Sequence, residues 1–203
     1  MVAGSGITHS ERFERARAQG DTLHGIQSWV ALPIEHEEVA PTFAHHDSGT
    51  LPQAEADGVL MRLIAGEAFG LRSPVQTHSP LFYLHVQLKG GAVAQLPEGY
   101  PERAAYVVSG EVQADGVVFR PGQMLIFKSG YGATVAAVTD SMLMLLGGEP
   151  IGPRHVEWNF VSSSQERIEQ AKADWRAGRM KLPDADHDEF IPLPDSDANH
   201  RTA

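Results

Sequence analysis

An all-β fold is predicted for this chain by three observations. Short apolar runs alternate with period two, turn residues stand between them, and the one clear helix signal lies near the C-terminus. Gly58–Ala65 opens the series and is stopped by Gly66. Leu81–Leu88 alternates, with Leu84, Val86 and Leu88 on one face and His85 and Gln87 on the other, as a half-buried strand does. Ala104–Ser109 and Glu111–Gln113 follow, interrupted by Gly110. Ala114-Asp115-Gly116 then supplies a hairpin turn of the Asp-Gly type. Val117–Phe119, Met124–Phe127, Ala133–Thr139 and Ser141–Leu146 complete about eight short strands, which suits a closed barrel or a sandwich rather than a parallel α/β sheet.

The flanks read differently. Residues 34–57 are rich in Pro, His, Asp, Glu and Ser, a connector with a polar loop at His45-His46-Asp47. Near the C-terminus, Ser163 and Glu166 have the spacing of a capping box. Ile168, Ala171 and Trp175 form a helical stripe expected to dock Trp175 onto a barrel, and Gly178 is placed to end that helix. Arg176 and Arg179 suit its negative end. From Pro183 onward the chain is rich in Asp and Pro and is expected to be loose.

Composition narrows the function. With 16 Lys+Arg against 26 Asp+Glu among 203 residues, the net charge is −10, which disfavours direct binding to nucleic acid. The two Arg-rich stretches, Arg12–Arg17 and Arg176–Arg179, contain or adjoin acidic residues and read as solvated helix faces. No cysteine is present, which removes disulfides, thiolate nucleophiles and Cys-held metals. A metal would have to be held by His and carboxylates. No apolar run approaches the ~18 residues of a membrane span, and no signal-peptide pattern is read at the N-terminus, so a cytoplasmic protein without membrane partners is expected.

Several segments, in order, resemble the pirin family of bicupins. Met1–Glu11 (MVAGSGITHSE) resembles the pirin segment M-T-A-G-x-G-I-x-H-S-E, and Leu23–Pro33 (LHGIQSWVALP) resembles L-H-G-x-Q-x-W-V-x-L-P. Ala65–Gly70 and Gly147–Pro150 fit later signposts, and Trp158–Gly178 is similar to the family's C-terminal helix region. Gly116–Gly122 has the strand, Pro-Gly turn and strand of the second cupin motif. The resemblance implies cupin (jelly-roll) barrels with a C-terminal helix. It divides the chain into a remnant of the N-terminal cupin at 1–52, a complete C-terminal cupin at 53–155, and a helix and tail at 156–203. In that family the N-terminal barrel holds a metal with three His and one Glu. A His-x-His pair of that set belongs to a segment earlier than the one matched by Met1, so the chain is expected to start partway through its first barrel.

By the resemblance, the two remaining ligands are His9 and Glu11. Residues two apart in a strand face one way, so both can point into a barrel. The resemblance further implies a divalent metal (iron first, with Ni, Mn, Cu or Zn as alternatives) and a quercetin 2,3-dioxygenase type of reaction. There a flavonol-like aromatic substrate and O₂ react with loss of CO, and Glu11 is the catalytic base toward the flavonol hydroxyl. The alternatives are a metal- or redox-dependent protein partner of transcription regulators, or an inactive fragment. The plain structural reading of His9 and Glu11 is a surface His and a solvated Glu. His24, Gln27 and Trp29 alternate in Leu23–Pro33 and read as core and edge packing, with a place beside a substrate cavity as the other option. His78 and His85 lack the His-x-His-x₃₋₄-Glu array, and Gln95–Tyr100 carries no His where a first cupin motif would, so the second barrel is expected to be metal-free. Ser162–Ser164 read as capping residues rather than nucleophiles.

Overall fold

The structure is a computed structural model that describes residues 1–194. It divides into two compact units, Ala44–Pro150 and a second that combines Met1–Phe43 with the chain from Ile151 onward.

The Ala44–Pro150 unit is built from two antiparallel sheets. The larger joins β1 (Gln53–Ala56), β2 (Val59–Ala68), β4 (Leu81–Leu88), β11 (Ser141–Gly148), β6 (Glu102–Ser109) and β9 (Met124–Phe127) in that order, with β3 (Leu71–Arg72) beside β2. The smaller joins β5 (Val93–Gln95), β10 (Thr134–Ala137), β7 (Val112–Ala114) and β8 (Val117–Phe119). The predicted spans at Leu81–Leu88, Val117–Phe119 and Met124–Phe127 are those observed. Asp115 and Gly116 turn the β7–β8 hairpin with φ of 48° and 79°, the doubly left-handed turn that an Asp-Gly pair makes at low cost.

Period two decides what is buried. Leu63, Leu84, Leu145, Ala105 and Leu125 are successive register partners across five strands, and each is at most 5% exposed. Beside that row run Met61, Val86, Leu143 and Val107. Ala94, Leu96, Val112, Val135 and Ala137 face them from the smaller sheet, in one hydrophobic cluster with the first two rows. Burying a Leu side chain of this kind contributes about 1.5–3 kcal/mol. β1 and β5 were not expected: β1 lies in the polar connector, with all four residues exposed, so no alternation marks it.

The second unit holds α1 (Glu14–Gln19), the hairpin β12 (His155–Glu157) and β13 (Phe160–Ser162), and α2 (Gln165–Arg176). Val2 and Thr42 form an isolated bridge. The expected strand at Leu23–Pro33 has no strand partner, and His24, Gln27 and Trp29 are exposed rather than packed in a core. α2 buries Ile168 and Ala171 as the stripe predicts. Its cap is shifted by one residue: the Ser164 Oγ accepts from the Arg167 N–H at 3.2 Å and donates to Glu166 at 2.8 Å. Ser163 is drawn elsewhere, its N–H and O–H donating to the Glu37 carboxylate. Trp175 finds its ring partners inside its own unit, Trp158 at 5.6 Å and Phe190 at 5.7 Å, and its Nε1–H donates to the Ile191 carbonyl. That contact reaches residues beyond Pro183; the last nine positions of the tail lie outside the described residues.

Glu37 is the polar centre of this unit. Its carboxylate accepts from Ser162 Oγ, Ser163 N and Ser163 Oγ at 2.9–3.1 Å. Arg154 Nε stands 2.7 Å away as an ion pair, with both side chains nearly buried. The remaining Arg154 donors reach the carbonyls of Ile151, Gly152, Pro153 and Leu32. Burial pushes the Glu37 carboxyl up, but the hydrogen bonds from Ser163 and Ser162, with the Arg154 charge, outweigh it and hold the group below its ordinary value.

Two outcomes follow for stability. Leu145→Ala removes the centre of the longest apolar row and should cost about 2–5 kcal/mol, read from urea unfolding. Glu37→Ala leaves Arg154 buried without its anion and should cost about 3–5 kcal/mol at pH 7. Because the folded-state pKa of Glu37 is depressed, its contribution is present above the unfolded value and is lost as pH falls through the folded one. The gap between wild type and Glu37→Gln should therefore narrow on acidification, as unfolding curves at pH 7 and pH 3 would show.

Candidate functional site

His9 and Glu11 lie on exposed, non-strand backbone just ahead of α1, so the strand that was to aim both inward is not formed. The segment is instead held at its edges. Thr8 Oγ1 donates to the Lys181 carbonyl, and Arg12 makes a two-pronged pair with Asp186 at 2.6 Å while reaching Glu189 at 2.7 Å. Hydrogen bonding to Arg12 holds the Asp186 carboxyl below its usual range. Among the described residues, no hydrogen bond or ion pair occupies His9 or Glu11, and both side chains are open to solvent. Nor do any three His, Cys, Asp or Glu among the described residues stand together as a metal-binding group. Two donors do not make a four-donor cupin centre, so the residues present do not by themselves fit the metal that the resemblance implies.

Two grooves stand out among the described residues. One, of about 630 Å³, is lined by Ser5, Thr8, Arg167, Asp174, Arg179 and Lys181 among others. Its cations are already neutralised: Arg167 by Glu38, Arg179 by Asp174 and Lys181 by Asp184, all at 2.6–2.7 Å. The other, of about 400 Å³, lies in the Ala44–Pro150 unit between Glu67, Thr77, His78, Ser79, Leu81 and Tyr100. Tyr100 spans it, its hydroxyl donating to the Glu67 carbonyl at 2.9 Å and its ring tilted on Phe82 at 5.1 Å. Burial, then the charges of Glu67 and Glu149, raise its pKa.

The remaining candidates are dispersed. His45 pairs with Asp47 at 3.1 Å in an exposed loop, as the sequence suggests. His85 shares the parity of Gln87, opposite to the buried Leu84 and Val86, and so points away from the apolar interior. In Gln95–Tyr100, Leu96 and Pro97 are buried and add apolar bulk to the interior. One inward-facing polar residue escaped the sequence reading: Arg103, 5% exposed, on the same face of β6 as Ala105 and Val107. Its parity was the available signal.

Two antiparallel sheets closed over one apolar core, with a Pro-Gly turn between β8 and β9, define a cupin-fold protein. A quercetin 2,3-dioxygenase structure from Acinetobacter baumannii supports that fold, with a TM-score of 0.73 at 23% identity over 82% of this chain and 57% of that one. Residues 83–181 match the Pirin C-terminal cupin domain. A pirin-like protein of Caulobacter vibrioides is 59% identical over 196 residues, 96% of this chain and 68% of the relative. A protein of Pseudomonas aeruginosa, provisionally named a quercetin 2,3-dioxygenase, is 34% identical over 188 residues, 89% of this chain and 65% of the relative. The chain belongs to the pirin family. It spans between 57% and 68% of the length of these three proteins.

Tyr100→Phe keeps the ring on Phe82 and removes the hydroxyl donor to the Glu67 carbonyl and, more weakly, to that of Leu81. It should lower stability by about 0.5–1.5 kcal/mol, seen as a small fall in the thermal midpoint with unchanged circular dichroism.

Proposed function

We propose that this chain serves a metal-dependent dioxygenation of the quercetin 2,3-dioxygenase type, with a flavonol-like aromatic substrate. The observation that carries this reading is the 34% identity to the Pseudomonas aeruginosa protein of that name. His9 and Glu11 would be two donors to a divalent metal, iron first, with Ni, Mn, Cu or Zn as alternatives. Glu11 would also be the proton acceptor for the flavonol hydroxyl, a role open to a carboxylate that no cation among the described residues holds. The division that goes with this reading is 1–52 as N-terminal cupin segment, 53–155 as C-terminal cupin and 156–203 as helix and tail.

A second reading, a protein partner of transcription regulators, is favoured by a separate observation. Ile26, Trp29 and Val30 are each more than half exposed on the unpaired Leu23–Pro33 segment, an apolar surface of the kind that binding covers.

The test is metal analysis and quercetin-dependent O₂ uptake on the full chain supplied with Fe(II). The expected result is metal retention and turnover in wild type, with both reduced roughly a hundredfold in His9→Ala and Glu11→Gln while the fold is retained. Turnover unchanged in both variants would remove these residues from the site. No metal and no turnover in wild type would favour the partner reading.

A further inference from the structure

The row of side chains at one end of the larger sheet is unlike the apolar rows beside it. In register it reads Gly66, Phe82, Gly147, Arg103 and Phe127. Arg103 faces inward and is 5% exposed. One of its terminal nitrogens donates to the Tyr131 carbonyl at 2.5 Å, but its Nε is buried with no acceptor. No carboxylate among the described residues pairs with it. The Nε atoms of Arg62 and Arg154 are likewise buried without a hydrogen bond, but Arg154 has the Glu37 carboxylate at 2.7 Å as an ion pair. A guanidinium withdrawn from water without an anion is a costly arrangement, and a bound water would satisfy the N–H but not the charge.

The surroundings define what would complete it. A Cβ at Gly147 would stand 2.5 Å from the Phe82 ring, so that ring lies directly over Gly147, one strand from Arg103. Phe127 is the register partner on the other side and packs against the core. The nearby Lys128 has its Nζ 5.0 Å from the centre of the Tyr131 ring. The row thus carries one buried planar cation, with Phe127 as its register neighbour on one side and Phe82 beyond Gly147 on the other.

We propose that Arg103 is the anchor of a binding site for a small monocarboxylate with an apolar or aromatic body. A carboxylate matches the planar fork of the guanidinium and carries the single negative charge that one buried cation balances. A phosphate dianion would leave a second charge uncompensated beside Phe82 and Phe127. This proposal does not rest on the dioxygenase reading, since it concerns a different set of residues and needs no metal.

The test is a titration of the ¹⁵N-labelled full chain with sodium benzoate, following the arginine Nε–H resonances, with chloride at matched ionic strength as control. The Arg103 Nε–H, assigned by its loss in Arg103→Met and distinguished from the buried Nε–H groups of Arg62 and Arg154, should shift saturably with benzoate and not with chloride. Arg103→Met, similar in length and apolar, should bind benzoate about tenfold or more weakly, because the charge-assisted fork is gone. Should that variant fail to fold, Arg103→Lys, which keeps a cation but removes the Nε–H, assigns the wild-type resonance and the titration is read from that. Absence of a saturable shift, an equal response to chloride, or undiminished benzoate binding by Arg103→Met would each overturn the proposal.

Discussion

A single buried carboxylate, Glu37, holds together the unit that carries the candidate ligands. It draws the Ser162–Ser163 corner and Arg154 toward one point, and Arg154 in turn fastens the Leu32 carbonyl. Two stretches far apart in sequence, 32–37 and 154–163, therefore meet at one ion pair. The position of α2 follows from it, since Ser163 is committed to Glu37 and the cap passes to Ser164. The low pKa of Glu37 is the electrostatic record of that convergence. Arg167, in the first turn of α2, extends it by holding Glu38 and the Ser5 carbonyl, which brings the chain just before His9 to the same helix.

The cupin unit is governed by a different constraint. Its inward positions are filled largely by apolar side chains in register, Phe82 among the aliphatics. Arg103 breaks that pattern at the strand ends, where the interior stops being purely apolar. The two units thus present two kinds of chemistry. Among the described residues, one exposes a His and a Glu without a third metal donor beside them, and the other buries a cation without an anion.

Legibility from sequence varied with how local each signal is. The strands of the core were readable because alternation is written into single segments such as Leu81–Leu88 and Ala104–Ser109. The Asp115-Gly116 turn was readable because its backbone conformation favours those residue types. β1 and β5 were not readable, being short and fixed by their partners β2 and β10 rather than by their own pattern. For the site, His9 and Glu11 were identified through likeness to the pirin segment, but the strand geometry meant to aim them did not form. A strand needs hydrogen-bonding partners that no single segment supplies.

By itself the sequence determined the all-β class, most core strands, the C-terminal helix and the pirin resemblance, since each is encoded in residues close together along the chain. Only the tertiary structure decided the Glu37–Arg154 anchor, the displaced cap of α2, the exposed course of Leu23–Pro33 and the unpaired burial of Arg103. These depend on which distant groups meet once the chain is folded. Burial and charge pairing are properties of that meeting, and spacing along one strand does not carry them.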